Sequence, residues 1–454
     1  MKPRIALSMI VRNAEADLPR CLASVGGIVD ETVVADTGSS DSTCQVAAQH
    51  GARVLRIPWA DDFAQARNQA LAAIDADWVL VLDADEQLGP EARVRIPALV
   101  LREEVKGYLV TIRNYVPSLQ QRVWDRPAKP NDGGALETAK SYPAYVEHEN
   151  VRLFRRDPEI YFVGRVHETV GRRITQIGGL LPPADFCIHH FGMVASPETQ
   201  ARKNRFYREL GQRKVEELPL DAQAHFELGV VEFDNFHHYE AALGYFLRAC
   251  ELKPSFGISW LFAALAALRL ERYAAALQLI REAQAQRYIS PLVLETEGDA
   301  HYHLEEFAEA RTFYSRALQA GPGSAFLESK LALAELRCGE TEVGLRRLRR
   351  AVQTEQDTPE LHDRLITALV FAGRLAEAAE AAEAKLALAE PDERTFLRAA
   401  SIWAKLGDWP RARQNIAAGL ARFPRSERLQ SALAEIVNFS PLSKYSRQNI
   451  VFCH

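Results

Sequence analysis

The sequence predicts an α/β domain with a mixed, mainly parallel sheet, followed by an all-α solenoid of repeated helix pairs. Up to about Gly192, short apolar segments alternate with amphipathic ones, as in a parallel sheet with helices on both faces. From about Pro197 onward the chain is rich in Ala, Leu, Glu and Arg in a helical pattern. A constant spacing of small residues in that second half indicates stacked repeats.

Four strands and three helices are predicted in order at the start of the first half. The strands are expected at residues 4–11, 31–36, 53–57 and 78–82, and the helices at 14–25, 41–50 and 63–74. Asp41, Ser42 and Thr43 are predicted to cap the second helix, because short polar side chains accept hydrogen bonds from free amides there. Crossovers between parallel strands are expected to be right-handed.

Small residues mark a 34-residue repeat in the second half. One column runs through Ala242, Ala276, Ala310, Gly344, Ala378 and Ala412. Larger residues such as Phe246 and Tyr314 fall between the small columns, so they can fill the space where paired helices approach. The pattern resembles the tetratricopeptide repeat, in six copies over residues 221–424. In the first copy Leu228-Gly229 comes one residue early, which predicts an insertion at 234–238.

Composition excludes several classes of protein. A net charge of −5 and a pI of about 6.2 argue against a nucleic-acid-binding or anionic-membrane surface. No apolar run approaches the roughly 20 residues of a transmembrane span. Residues 1–5 lead directly into a strand, so no signal peptide is expected. The six cysteines lack CxxC spacing and are predicted to be reduced. A cytoplasmic protein, or one peripheral to the inner membrane, is expected.

Two carboxylates follow the most apolar predicted strand. Asp83-Ala84-Asp85 lies at its C-terminal end, where ligands bind in open α/β sheets. Carboxylate oxygens suit Mg²⁺ or Mn²⁺, and such an ion can bridge a diphosphate. The alternative is an ordinary Asp-rich turn after a strand.

Seven motifs in a fixed order identify a family. They are Met9–Glu15, Val33–Asp41, Asp62–Asn68, Asp83–Asp85, Val151–Arg155, Gly164–Glu168 and His190–Gly192. Together they resemble the nucleotide-sugar domain of glycosyltransferase family 2, which has the GT-A fold, over residues 5 to about 192. The last three motifs are similar to a bacterial branch that includes peptide-glycosylating enzymes, among them S-glycosyltransferases of the sublancin type, and lipopolysaccharide-core glucosyltransferases.

The resemblance implies donor-binding roles for residues of the first three motifs. Asp36 is expected to bind the nucleobase or ribose; the alternative is a helix-capping role, which suits Asp41 better. Arg67 is expected to offer its charged fork to the nucleotide or diphosphate, and the alternative is a solvated helix arginine. Asn13 and Glu15 are also placed at the donor, although Glu15 can equally be a first-turn acid of a helix.

Metal binding is implied for Asp85 and His190. The resemblance places Asp85 on the cation, and Asp83 on the ribose or a metal-bound water. His190 matches a late histidine that contacts metal or diphosphate in many GT-A enzymes. A structural histidine is the alternative, and the neighbouring His189 is a rival for the same position.

An inverting transfer requires one general base, which contributes typically about 10²–10⁴-fold. Glu168 and His167 are the candidates: burial beside the sugar can raise the pKa of a carboxylate, and a histidine can titrate near neutrality. The alternative is that the pair only shapes the acceptor loop.

Residues 116–149 are variable between the motifs, and the run 126–134 is not expected to form a core element. It is predicted to be a lid or acceptor loop, with disorder as the alternative.

Four segments follow from this pattern. They are a glycosyltransferase domain at 1–194, a helical linker at 195–220, the repeats at 221–424, and a capping helix with a tail at 425–454. The expected function is metal-dependent inverting transfer from a nucleotide-diphosphate sugar, with a UDP-sugar favoured, to a peptide or protein acceptor bound by the repeats. An envelope-glycan acceptor and a non-catalytic interaction protein are the alternatives, and the repeats also offer a surface for homo-oligomers.

Overall fold

The computed structural model describes residues 2–119, 121–133, 136–192, 197–321, 323–388 and 391–438. The chain divides into two compact units, Met1–Ala266 and Ala267–His454. The first unit holds the sheet, the linker helix and the first repeat. Within the described ranges, no helix is both long enough and apolar enough to cross a bilayer.

The strands of the first unit begin as predicted, with four that are separated by helices. The strands are β1 (Ile5–Val11), β2 (Glu31–Asp36), β3 (Arg53–Arg56), β4 (Trp78–Val81), β5 (Glu86–Leu88), β6 (Gly107–Val116), β7 (Arg122–Val123), β8 (Arg126–Pro127), β9 (Lys129–Pro130), β10 (Ala144–Arg155) and β11 (Pro183–His190). The main sheet has the order β3-β2-β1-β4-β10-β6-β11-β5. Strands β3, β2, β1 and β4 are parallel to one another. Strand β10 is antiparallel to both β4 and β6, and β11 is parallel to β6 but antiparallel to β5. The α/β prediction is confirmed.

Helices pack on this sheet and extend beyond it. They are α1 (Leu18–Ser24), α2 (Thr43–Gln49), α3 (Phe63–Ala72), α4 (Ala92–Leu99), α5 (Gly171–Gln176), α6 (Pro197–Glu217), α7 (Ala222–Val230), α8 (Tyr239–Leu252) and α9 (Gly257–Arg269). Helix α1 begins at Leu18, four residues later than predicted. This start keeps Pro19 in the first turn, where its missing amide hydrogen breaks no helical bond.

The segment between β6 and β10 is more ordered than predicted. Strands β7 and β8 form a small antiparallel pair, and β9 pairs with the start of β10. Ala128 is buried with Val116 and Val146, so the expectation that run 126–134 forms no core element is wrong for the part that the structure describes. Gly134 lies outside the described residues. Prolines are tolerated here because these are edge strands, which need few ladder amides.

The first repeat contains the predicted extra residue. Helix α7 continues into a π-helical turn at Val231–Asn235, which accommodates one residue more than an α-turn. A Cβ on Gly229 would lie 2.6 Å from the ring of Phe246, and a Cβ on Gly298 would lie 2.7 Å from the ring of Tyr314. The two glycines are therefore equivalent positions, and the first repeat has one extra residue before its aromatic partner.

Helix pairs continue through the second unit. The helices are α10 (Tyr273–Ala285), α11 (Pro291–His303), α12 (Phe307–Ala320), α13 (Ala325–Arg337), α14 (Thr341–Thr354), α15 (Pro359–Phe371), α16 (Leu375–Leu386), α17 (Glu393–Lys405), α18 (Trp409–Arg422) and α19 (Glu427–Asn438). The small-residue column is buried, as in Ala310, Ala378 and Ala412. A Cβ on Gly344 would lie 2.5 Å from the carbonyl oxygen of Ala332, so only glycine allows this helix approach. The repeat prediction is confirmed. The predicted capping helix is α19, and the tail beyond it lies outside the described residues.

Candidate active site

One cavity gathers most of the predicted site residues. It has a volume of about 590 Å³ and opens beside the end of β4. Six predicted residues line it: Arg67, Asp83, Asp85, His167, Glu168 and His190. Helix α6 and the π-helical turn supply further walls, which include Lys203, Tyr207 and Asn235. The site is therefore shared between the sheet domain and helices that follow it in the same unit.

Two arginines hold the first carboxylate of the pair. Arg67 Nη2 donates to Asp83 Oδ1 at 2.6 Å, and Arg152 Nη2 donates to Asp83 Oδ2 at 3.2 Å. Arg152 also donates to Glu86 Oε1 at 2.9 Å, and the second oxygen of Glu86 accepts from the Asp83 amide. Burial alone would raise the pKa of Asp83, but the charges of Arg152 and Arg67 outweigh it and hold that pKa well below its ordinary value.

Arg67 is the central cation of the cavity rather than a solvated helix arginine. Its side chain is 6% exposed, and its Nε donates to Glu168 Oε1 at 2.5 Å. The remaining nitrogen, Nη1, is buried without a hydrogen-bond partner among the described residues, as is Nε of Arg152. Buried donors without partners are uncommon in native proteins. Both arginines line the cavity, so their positive charges can attract an anionic group there.

Asp85 and His190 form the second half of the site. Asp85 Oδ2 lies 3.3 Å from His190 Nε2. On the other side of the ring, His190 Nδ1 lies 2.7 Å from Asn114 Oδ1. Asn114 Nδ2 donates to the carbonyl oxygen of Val146 at 3.2 Å, which fixes the orientation of the amide. Asn114 Oδ1 can only accept, so Nδ1 of His190 carries a hydrogen and Nε2 faces Asp85.

This geometry fits a divalent cation. Two neighbouring ligands of an octahedral Mg²⁺, each at 2.0–2.1 Å, lie about 3 Å apart, close to the 3.3 Å between the Asp85 and His190 atoms. Burial alone would lower the pKa of His190, but hydrogen bonding to Asp85 and the charge of Asp85 raise it overall. A Cβ on Gly192 would overlap Asp85 Oδ2, so only glycine leaves room here.

The other three predicted donor residues organise a loop instead. Asp36 accepts hydrogen bonds from the Gly38 and Ser39 amides at 3.2 Å. Asn13 Oδ1 accepts from the Ser40 amide at 2.8 Å, and Glu15 Oε2 accepts from the Ser42 amide at 2.8 Å. None of these three residues is among the described residues that line the cavity. Their donor-binding roles stay predictions.

The loop that carries His167 and Glu168 is held firmly on both sides. Asn68 makes two hydrogen bonds with the backbone of Phe162, at 2.8 and 2.9 Å. The buried Lys214 of α6 donates to the Val166 carbonyl oxygen at 2.8 Å and to Glu227 of α7 at 2.7 Å. His167 adopts a positive φ of 53°, a strained backbone conformation that often occurs at functional sites.

Helix α6 packs against α3 and the residues before it through aromatic side chains. Phe63 stacks on Tyr207 with centroids 6.1 Å apart, and Trp59 lies 6.2 Å from Phe206. Leu210 is buried, so this helix also contributes an apolar contact. Burial raises the pKa of Tyr207 to about 12, and the charges of Asp83 and Glu168 add to the effect. The phenol is therefore protonated at neutral pH.

Several site residues were not predicted. Arg152 lies inside the Val151–Arg155 motif, but strand alternation could not indicate its direction, because β10 has a bulge between Val151 and Leu153. Asn114 had no such signal, because its role depends on the pairing of β6 with β11. His189 is separated from His190 by strand alternation, and its Nδ1 lies 2.9 Å from the Tyr115 hydroxyl, away from the cavity.

The support that Asn114 gives to His190 can be tested by substitution. Asn114→Leu removes the acceptor that orients the ring, and we expect divalent-cation affinity to fall about 10–100-fold, as for other outer-shell partners. Mn²⁺ titration of the full chain measures this. Asn131→Leu is a matched control, because Asn131 makes comparable amide-to-carbonyl bonds at 2.7 and 2.8 Å outside the cavity. Equal Mn²⁺ affinity for wild type and Asn114→Leu would contradict this role.

Comparison with known proteins identifies two kinds of sequence in the chain. Residues 7–160 match the glycosyl transferase family 2 model, and residues 234–290 and 261–325 match a tetratricopeptide repeat model. The chain therefore contains a glycosyltransferase family 2 domain joined to tetratricopeptide repeats.

Three relatives illustrate the similarity. A TPR repeat-containing protein of Synechococcus elongatus is 50% identical over 107 residues, which cover 24% of this chain and 27% of that protein. An uncharacterized glycosyltransferase of Rickettsia felis is 35% identical over 106 residues, 23% of this chain and 37% of that protein. The SPbeta prophage-derived glycosyltransferase SunS of Bacillus subtilis is 23% identical over 168 residues, 37% of this chain and 34% of that protein. Each match spans well under half of the relative.

Proposed function

We propose that this protein is a metal-dependent, inverting glycosyltransferase that moves a sugar from a nucleotide-diphosphate donor to a peptide or protein. The single observation that carries the proposal is the composition of the cavity. It combines a carboxylate pair, a histidine, two buried arginines and a further carboxylate, Glu168, in about 590 Å³. The glycosyltransferase names of the Rickettsia and Bacillus relatives support the reaction class.

The donor side is the end of β4. Asp85 and His190 would hold Mn²⁺ or Mg²⁺, and the bound ion would neutralise the charge of a diphosphate leaving group. The positive charges of Arg67 and Arg152, which line the cavity, would attract the anionic diphosphate of the donor. UDP is the nucleotide we favour, from the family resemblance alone.

The acceptor side is the loop after Gly164. In a single displacement, the acceptor nucleophile forms its bond to the anomeric carbon while the bond to the nucleoside diphosphate breaks. Glu168 would take the proton that the nucleophile loses. Its Oε1 accepts from Arg67, which leaves the carboxylate a second oxygen for this proton. His167, exposed beside Tyr207, is the other candidate.

The wall formed by α6 and the π-helical turn connects this chemistry to the repeats. Lys203, Tyr207 and Asn235 line the same cavity as Asp85 and Glu168. Repeat solenoids bind extended peptides along their stacked helices. A peptide leaving the cavity along this wall would pass the first repeat, which supports a macromolecular acceptor docked by the repeats.

Variants of this wall test the acceptor proposal. We expect Lys203→Ala and Asn235→Ala to raise KM for the acceptor several-fold while leaving Mn²⁺-dependent donor hydrolysis without acceptor within about twofold, since they remove contacts on the acceptor side only. Arg205→Ala is the matched control, because Arg205 is exposed on the same helix and is not a cavity residue. Equal losses of donor hydrolysis and transfer would place these residues at the donor instead.

Two other functions can be distinguished from this proposal by experiment. A lipopolysaccharide-core or other envelope-glycan acceptor uses the same chemistry, and transfer to purified glycan but not to peptides would identify it. A non-catalytic interaction protein predicts no donor hydrolysis at all. The buried charges of Arg67 and Glu86, which are paired with Asp83 and Arg152, argue for the enzyme, because such a cluster is costly to maintain without a ligand to bind. A cytoplasmic location and assembly through the repeats remain part of the proposal.

A further inference from the structure

A second set of metal-ligand side chains lies on the opposite face of β11 from His190. Cys187 and His189 are two residues apart on this strand, so both point to the same face, whereas His190 points to the other. Glu91, just before α4, joins them. The potential ligand atoms of these three residues all lie within 4.8 Å of one another. None of the three lines the proposed active-site cavity.

The distances within this set match a tetrahedral site. Cys187 Sγ lies 3.4 Å from His189 Nε2 and 3.6 Å from Glu91 Oε1. In tetrahedral zinc sites, bonds of about 2.3 Å to sulfur and about 2.0–2.2 Å to nitrogen or oxygen separate the sulfur from its neighbours by about 3.5–3.6 Å. The two distances from the sulfur therefore suit one such ion, and the remaining nitrogen and oxygen ligand atoms lie within 4.8 Å of each other.

Two groups beside these three residues are relevant to metal binding. The Tyr115 hydroxyl lies 2.9 Å from His189 Nδ1, the kind of outer contact that orients a histidine ligand and leaves its other nitrogen for the metal. Gln87 is the direct cross-strand partner of His189, and its Oε1 is buried without a hydrogen-bond partner in the described part of the chain. A water on the fourth coordination position would donate to such an acceptor.

We propose that Glu91, Cys187 and His189 form a zinc-binding site, with a water as the fourth ligand. Binding replaces the thiol hydrogen of Cys187 by the metal and releases one proton to solvent. The thiolate and the Glu91 carboxylate then balance the two charges of Zn²⁺ against a neutral imidazole. Arg113, whose charge acts on Cys187, is paired with Glu147 at 3.0 Å, so its charge is offset. A sulfur and a nitrogen ligand favour Zn²⁺ over the Mg²⁺ or Mn²⁺ of the other site.

Cobalt substitution tests the site in the full chain. After removal of metals with a chelator, we expect Co²⁺ to produce a near-ultraviolet cobalt–thiolate absorption band that saturates at one equivalent and disappears when Zn²⁺ is added. Cys187→Ser should lose the band and weaken Zn²⁺ binding at least about tenfold, and Tyr115→Phe should weaken it about 10–100-fold. Asp85→Asn and Cys338→Ser should keep the band, because they alter the other metal site and a thiol of the second unit.

A band that persists in Cys187→Ser would overturn the proposal, as would the absence of any band in the wild type. Zn²⁺ should also raise the Tm of the wild type, because it binds only the folded chain, and should raise that of Cys187→Ser less. If Cys187→Ser does not fold, Glu91→Gln provides the same comparison, since Glu91 is partly exposed. Unchanged Zn²⁺ affinity in Glu91→Gln would mean that the three side chains form only a hydrogen-bonded cluster.

Discussion

Asp85→Asn is expected to reduce sugar transfer about 100- to 1,000-fold, the scale of removing one electrostatic stabiliser from an active site. A neutral amide is a poorer ligand for a hard cation. In the variant, His190 would hold the cation without the charged carboxylate of Asp85 beside it. The Asp85 side chain is 32% exposed, so the fold should survive. Steady-state kinetics with increasing Mn²⁺ measure the loss, and high Mn²⁺ should restore part of it.

A matched aspartate controls for nonspecific charge effects. Asp185→Asn removes an exposed carboxylate, 3.2 Å from Arg95, on the same strand as His190 but outside the cavity. Such surface pairs contribute little, so transfer should be unchanged. Full activity of Asp85→Asn, or of the wild type in excess EDTA, would contradict the metal assignment.

Glu168→Gln is expected to reduce kcat about 10²–10⁴-fold, the usual contribution of a general base. The amide keeps the size of the side chain and can still accept the hydrogen bond from Arg67 Nε, so donor affinity should change little. His167→Ala should cost less, because His167 is exposed and its ring lies 6.5 Å from that of Tyr207. Pre-steady-state transfer rates and donor titrations separate the two effects.

The opposite pattern would reassign the base. If Glu168→Gln turns over at the wild-type rate and His167→Ala does not, the histidine takes the proton. If both retain wild-type turnover, the base is neither residue and the loop only shapes the acceptor site.

The sequence predicted what depends on local pattern. Apolar runs fixed β1, β2 and β4 to within one residue, because a buried strand requires consecutive apolar side chains. The carboxylate pair, Arg67 and the Gly164–Glu168 loop were found through motif order, and the structure brings them into one cavity. The 34-residue period was visible because close helix approach requires small residues at regular positions.

What the sequence could not predict depends on long-range pairing. Asn114 reaches His190 only because β6 lies beside β11, a register that no local pattern encodes. Lys203 and Tyr207 reach the cavity because α6 packs back on α3 through Phe63. Ala128 is buried although it lies in a run of prolines and glycines, residues whose turn-forming tendency predicts a loop. In each case the deciding contact is with residues distant in sequence.

Donor binding tests the central claim most directly. The melting temperature of the full chain can be measured with uridine, guanosine and thymidine diphosphate-sugars, each with Mn²⁺, with Mg²⁺ and with EDTA. A ligand that binds only the folded state raises the Tm by mass action. We predict a rise with at least one nucleotide-sugar plus a divalent cation, which EDTA or Asp85→Asn abolishes. No rise with any of these donors, or a rise that is unchanged by EDTA and by Asp85→Asn, would contradict a metal-dependent nucleotide-sugar site at Asp85 and His190.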